Sequence, residues 1–117
     1  MRILEDLEIY RLSMKIGETI WQEVINWEYL ARSTVGIQLI RATDSVSANI
    51  AEGYGRKTAR DTQHFCYYSR GSLKEAICFV EKAKSRNLIS LTVYQSLLND
   101  LNLLGKMLNN YIKSLNQ

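Results

Sequence analysis

The polar residues Gln38, Arg41, Ser45, Asn49 and Glu52 follow one another at steps of three and four, so a helix through them carries all of them on one face. Two amides, a guanidinium, a hydroxyl and a carboxylate in a row suit a hydrogen-bond network that fixes bundle geometry or a subunit contact. They also suit a ligand or active site. The stripe has no nucleophile–base pair and no second converging carboxylate, which favours the network. Glu52 falls in the last turn of its helix, where the dipole disfavours a negative charge. Arg56, Arg70 and Lys74 are the cations available to offset it.

Other constellations are weaker. Asp61 and His64 stand at i and i+3, as in one half of a di-iron bundle motif, but that motif needs a second such pair and two further glutamates. His64 is the single histidine of the chain, so no complete metal site forms within it, and no cofactor is expected. The segment Gly53-Tyr54-Gly55-Arg56-Lys57 contains glycine and lysine but follows a helix and lacks the spacing of a nucleotide-binding loop. Its glycines read as a helix stop in the left-handed conformation.

The strongest candidate surface is basic. Arg60, Gln63, Tyr67, Arg70 and Lys74 project to one side of the third predicted helix, with Arg56 and Lys57 in the turn before it. Cations beside an exposed tyrosine meet phosphates and stack on an unpaired base. The same pattern also describes an ordinary solvated helix face.

The elements that carry these residues follow from periodicity. Helix one is predicted over about Asp6–Asn26, with Leu7, Tyr10, Met14, Trp21 and Ile25 on one apolar face and Ile9, Leu12, Ile16 and Ile20 on a second. That arc is wider than one bundle core uses, and it fits either a deeply packed helix or a subunit interface. Trp27–Arg32 reads as a connection, with Ser33 or Thr34 capping helix two. Helix two carries Val35, Leu39, Ala42, Val46 and Ile50 and stops at Gly53 and Gly55. Thr58 or Asp61 caps helix three, which runs to about Arg86 with Phe65, Tyr68, Leu73, Ala76, Phe79, Val80 and Ala83 inward. Ser90 caps helix four, whose Tyr94, Leu97, Leu98, Leu101, Leu104, Leu108, Tyr111, Ile112 and Leu115 keep helical spacing. Short links between four helices imply an all-α, antiparallel up-down four-helix bundle, a single domain over residues 1–117. Ile37, Ile40, Leu103 and Met107 fall off the core faces.

Composition agrees. The chain of 117 residues has 46% hydrophobic and 23% charged residues and no proline, as expected of a globular helical domain. Met1–Glu8 already carries Arg2, Glu5, Asp6 and Glu8, which argues against a signal peptide. The longest uncharged stretch, Asn87–Asn99, is too short to span a membrane. Cys66 and Cys78 lie about 18 Å apart along one helix, beyond disulfide reach, and read as small buried or half-buried groups in a reducing cytoplasm. Net charge is only +3, but residues 31–86 carry ten basic against five acidic groups, while residues 1–30 carry three against six. Any electrostatic footprint belongs to the middle of the chain.

The run from Gln38 to Arg56, Gln-Leu-Ile-Arg-Ala-Thr-Asp-Ser-Val-Ser-Ala-Asn-Ile-Ala-Glu-Gly-Tyr-Gly-Arg, resembles the signature of the 23S rRNA-intervening-sequence proteins. The resemblance continues through Tyr68, through Arg70-Gly71-Ser72-Leu73-Lys74-Glu75 and through Tyr94, Leu97-Leu98, Leu101 and Leu108-Asn109, covering nearly the whole chain. This sequence departs from many members at Ile40, where they have a second arginine, and at Ser47, where they have proline. The resemblance implies a four-helix bundle that assembles into a homopentameric ring and carries no established enzyme activity. It also implies association with insertions in large-subunit ribosomal RNA genes, or with nucleic acid and a reverse transcriptase in a related retroelement branch. The resulting expectation is a non-enzymatic homo-oligomer with RNA or other nucleic-acid affinity through Arg56, Lys57, Arg60, Tyr67, Arg70 and Lys74. The alternative is an oligomeric protein-interaction scaffold without nucleic-acid contact.

Overall fold

The computed structural model describes residues 3–116. Of the charged opening stretch, Met1 and Arg2 lie outside the described residues, as does Gln117. After a 3-10 turn at Leu4–Asp6, four long helices follow: α1 (Glu8–Val24), α2 (Ile37–Tyr54), α3 (Ala59–Ser85) and α4 (Leu91–Ser114). They pack as a bundle 46 × 22 × 22 Å in extent, each helix against two neighbours.

Contacts across the α1–α2, α2–α3 and α3–α4 interfaces run in opposite directions along the paired helices. Ser72, Ser69 and Thr62 of α3 meet Ser45, Val46 and Gly53 of α2 in turn. Gln63 at the start of α3 reaches Ile112 near the end of α4, and Glu81 near the end of α3 meets Tyr94 near the start of α4. On α1, Gly17 lies beside Asp44, and Val24, at its C-terminal end, touches Gly36 at the entry to α2. Lys15 of α1 pairs with Asp100 of α4 at 3.6 Å.

The second apolar face of α1 makes the core: Ile9, Ile16, Ile20 and Val24 are buried, whereas Met14, Trp21 and Ile25 are 46%, 48% and 41% exposed. The helix is shorter than its periodicity suggested, ending at Val24, and Trp27 turns inward after it.

Between α1 and α2 the expected connection is largely helical. A single turn at Tyr29–Ala31 leads into a π-helical segment, Arg32–Gly36, continuous with α2. Glu28, in extended conformation, takes the N-cap position. Ser33 and Thr34 do not cap. Their hydroxyls lie inside the helix and donate back to the Leu30 carbonyl at 3.3 and 2.6 Å. Gly36 permits the close crossing with α1, since a Cβ there would lie 2.7 Å from Val24 Cγ1.

Neither Gly53 nor Gly55 adopts the left-handed conformation expected of a helix stop. No described glycine has positive φ, and Gly55 ends α2 at φ −81°. Gly53 serves packing: an added Cβ would lie 2.9 Å from Phe65 Cβ and 3.2 Å from the Thr62 carbonyl. The left-handed residue is Asn87 (φ 58°), after α3. There Leu88 N donates to Ala83 O at 2.9 Å and Asn87 N to Lys84 O at 3.0 Å, a Schellman ending with asparagine in the place of glycine.

Thr58 caps α3 by accepting from Asp61 N, and Ser90 caps α4 by accepting from Val93 N, both at 3.1 Å. The core face of α3 is Thr62, Cys66, Ser69, Leu73, Ala76, Val80 and Ala83. Small side chains let α2 approach closely, and the buried hydroxyls are satisfied: Thr62 donates to Gly53 O at 2.9 Å and Ser69 to Val46 O at 2.8 Å. Tyr68, expected inside, is 60% exposed, because the core seam runs one position round the helix from it. Phe65 and Phe79 are half-buried at the edge of the seam. On α4, Leu97, Leu101, Leu104, Leu108 and Ile112 fill the core as their spacing implies.

Candidate nucleic-acid interface

The basic residues of the middle of the chain divide by where α3 carries them. Tyr67 is 44% exposed, and the Arg70 guanidinium lies 4.9 Å from the centre of its ring. Arg70 is held there by a 3.1 Å hydrogen bond from its Nη1 to Asn109 Oδ1 of α4. Gln63, two turns earlier, is likewise tied to α4, donating to the Ile112 carbonyl at 3.2 Å and to Asn116 Oδ1. Lys74 follows Arg70 along a groove of about 180 Å³ that Asn102, Lys106 and Asn109 of α4 complete. Lys57 and Arg60 are exposed at the start of the helix.

Arg56 stands apart from these. Its Nη2 donates to Glu52 Oε1 at 2.8 Å, and its guanidinium lies 4.6 Å over the Phe65 ring. It is thus the cation that offsets Glu52 at the end of α2. Among the described residues the other ion pair is Lys15–Asp100, so Lys57, Arg60, Arg70 and Lys74 have no carboxylate partner.

The polar stripe of α2 breaks into three parts. Gln38 and Arg41 line a groove toward the far end of α3. Ser45 and Asn49 form a cluster with Ser72 of α3: Ser72 Oγ lies 2.9 Å from Ser45 Oγ, and Asn49 Nδ2 donates to Ser45 O and Oγ at 2.8 and 3.1 Å. Glu52 pairs with Arg56. The Ser45 hydroxyl therefore has an amide and another hydroxyl as partners and no base, which makes the cluster a link between helices rather than an activated nucleophile.

Tyr68 and Lys106 complete the surface but escape sequence reasoning. Tyr68 stands beside Tyr67 over a groove of about 480 Å³ that also includes Ser45, Asn49, Gly71 and Glu75. The apolar periodicity of α3 placed it inside, because the true seam runs through Thr62, Cys66 and Ser69, which do not read as apolar anchors. Lys106 comes from another helix, and no spacing within α3 signals it.

Of the shifted groups, none lies on this surface. Burial pushes the Cys66 thiol up to about 11, and Cys78 is exposed on the same helix rather than buried or half-buried. A hydrogen bond from the Tyr94 hydroxyl to Glu81 (2.8 Å) raises the phenol of Tyr94, with Lys84 4.6 Å above its ring. His64 is exposed, and among the described residues no three His, Cys, Asp or Glu side chains gather to hold a metal.

The geometry defines a four-helix bundle with an aromatic and cationic outer face on its longest helix. The chain belongs to the 23S rRNA-intervening sequence protein family, whose profile it matches over residues 5–110. No curated protein matches it. Its fold is similar to a crystal structure of a protein of unknown function from the S23 ribosomal protein family of Bacteroides thetaiotaomicron. That likeness has a TM-score of 0.81 at 20% identity and covers 90% of this chain and 98% of the other. No helix among the described residues is long and apolar enough to cross a membrane.

Proposed function

We propose that this protein is a non-enzymatic homo-oligomer, a pentameric ring in keeping with the family resemblance, that binds RNA through the outer face of α3. The observation that carries the reading is the Tyr67–Arg70 cation–π pair, with Lys57, Arg60 and Lys74 on or beside the same helix and free of carboxylate partners among the described residues. Arginine held against a tyrosine by Asn109 presents a preformed flat surface to an unpaired base, and the flanking cations suit the phosphates on either side. A single such face is modest. Repeated around a ring, it becomes a continuous positive surface, and counterion release then scales with the number of phosphates met. The family's association with ribosomal RNA insertions favours RNA among nucleic acids. The two free thiols, Cys66 and Cys78, suit the reducing cytoplasm.

Oligomerisation is supported by the half of α1 that the bundle does not bury. Met14, Trp21 and Ile25 form a stripe along the helix, and Tyr29 and Leu30, 67% and 77% exposed, follow in the turn beyond it. A gel-shift titration with single-stranded RNA, alongside light scattering, tests both parts. An RNA complex that weakens with salt and a mass of several protomers are expected. Absence of any shift at low salt would sink the RNA reading.

The same exposed stripe favours a second reading, a scaffold that binds a protein such as a reverse transcriptase without touching nucleic acid. Ile37 and Leu103, 40% and 49% exposed, add apolar surface on two other helices. Recovery of one stoichiometric protein partner after nuclease treatment, with no RNA shift, would decide for it.

A further inference from the structure

A second cationic site lies at the opposite end of α3. Arg41 of α2, Lys82 of α3 and Arg86, which caps the end of α3, line one groove of about 510 Å³ together with Gln38 and the half-buried Phe79. No acidic residue lines it, and among the described residues none of the three cations makes an ion pair. The neighbouring Lys84 is engaged elsewhere, over the Tyr94 ring beside Glu81. Three exposed cations from two helices border this groove without a carboxylate among them, which makes it a favourable place for an anion.

The wall of the groove is unusual as well. Ser33, Thr34 and Val35 of the π-helical segment Arg32–Gly36 form part of it, and π-helical turns inside α-helices recur at functional sites. Beside the charged groove, sharing Thr34, Val35 and Arg86 with it, is an apolar recess of about 340 Å³ that Leu30, Ala31 and Leu88 complete. Charged groove and apolar recess thus lie side by side, with three lining residues in common.

We propose that this groove binds a phosphorylated ligand of the nucleotide class. Its phosphates sit among Arg41, Lys82 and Arg86, and its flat, weakly polar body enters the recess beside Val35 and Leu88. Arginine forks match phosphate oxygens in pairs, and two of the three cations are arginines. The site does not rest on the RNA face described above: Lys82 lies about 33 Å along α3 from Arg60.

Isothermal titration of the full chain with ATP, with inorganic pyrophosphate as competitor, tests the site. ATP is expected to bind at low salt and to be displaced by pyrophosphate. Lys82→Gln/Arg86→Gln and, separately, Arg41→Gln should each weaken binding by about tenfold or more. Arg11→Gln/Lys113→Gln removes the same charge as the double variant from two exposed positions outside both cationic faces and should leave ATP affinity within about twofold. Unchanged far-UV circular dichroism and thermal midpoint separate loss of the site from loss of the fold. A short single-stranded RNA that displaces ATP would assign the phosphate to a polymer backbone, and one that does not would assign it to free nucleotides; both support the groove. No binding of ATP or pyrophosphate at millimolar concentration, or equal loss in the Arg11/Lys113 variant, would overturn it.

Discussion

Gly53 and Gly71 are both helical glycines, and their surroundings set them apart. A methyl at Gly53 would press on Phe65 Cβ and the Thr62 backbone, neither of which is the flexible end of a side chain. At Gly71 an added Cβ meets nothing within 4 Å. Gly53→Ala is therefore expected to cost about 1–3 kcal/mol by overpacking. Gly71→Ala should stabilise by about 0.5–1 kcal/mol through backbone entropy alone. Urea unfolding of the two variants checks the opposite signs. Asp44 offers a pH-dependent counterpart. Asp44 is exposed, but partial desolvation of its carboxyl against α1 and the charge of Glu18 push that group above the ordinary value. The folded protein thus holds that proton more tightly than the unfolded chain. Its contribution to stability is present in acid and is lost as pH rises through the folded pKa. Asp44→Asn should raise the urea midpoint at neutral pH and lose its advantage near pH 3, as paired denaturation curves would show.

Single helices show how far periodicity reaches. On α4, Leu101 is 1% exposed and Leu103 is 49% exposed, two residues apart on opposite faces. Leu101→Ala should cost about 2–5 kcal/mol, and Leu103→Ala about 0.5 kcal/mol or less, by thermal or chemical denaturation. That contrast was legible in the spacing of the leucines, as were the Ser90 cap and, as one of two candidates beside Asp61, the Thr58 cap. The α2–α3 pair was harder to read. Ala76 was read inward, but the first half of the seam is Thr62, Cys66 and Ser69, small or polar residues whose burial depends on a partner helix approaching closely, so periodicity assigned that place to Phe65 and Tyr68. The π-helical entry to α2 was equally hidden. Ser33 and Thr34 are good caps in isolation, and only the Leu30 carbonyl one turn earlier shows that they are already inside a helix. The basic face was legible as a set of residues, but not its division. Arg56 turns to Glu52 across an i,i+4 step, one of the three pairings the sequence offered, whereas Arg70 turns to Asn109 of α4, which spacing within α3 does not reveal.

The molecule as a whole has more functional surface than a lone bundle uses. Its core accounts for Ile9, Ile16, Ile20 and Val24 of α1 and leaves Met14, Trp21 and Ile25 in solvent. Burying an aromatic of that size contributes more than most other side chains at an interface. Trp21→Glu should leave the bundle folded by circular dichroism yet lower the mass measured by light scattering at micromolar concentration toward that of one protomer. The central claim is that the outer face of α3 meets RNA phosphates. It is tested most directly by the slope of log affinity against log salt, for the wild type and for Arg60→Gln/Lys74→Gln. If both side chains sit on phosphates, the variant's slope should be shallower by about 0.7 for each phosphate it no longer neutralises, with weaker binding on every RNA sequence tried. An unchanged slope, or no RNA binding by the wild type at low salt, would contradict that claim.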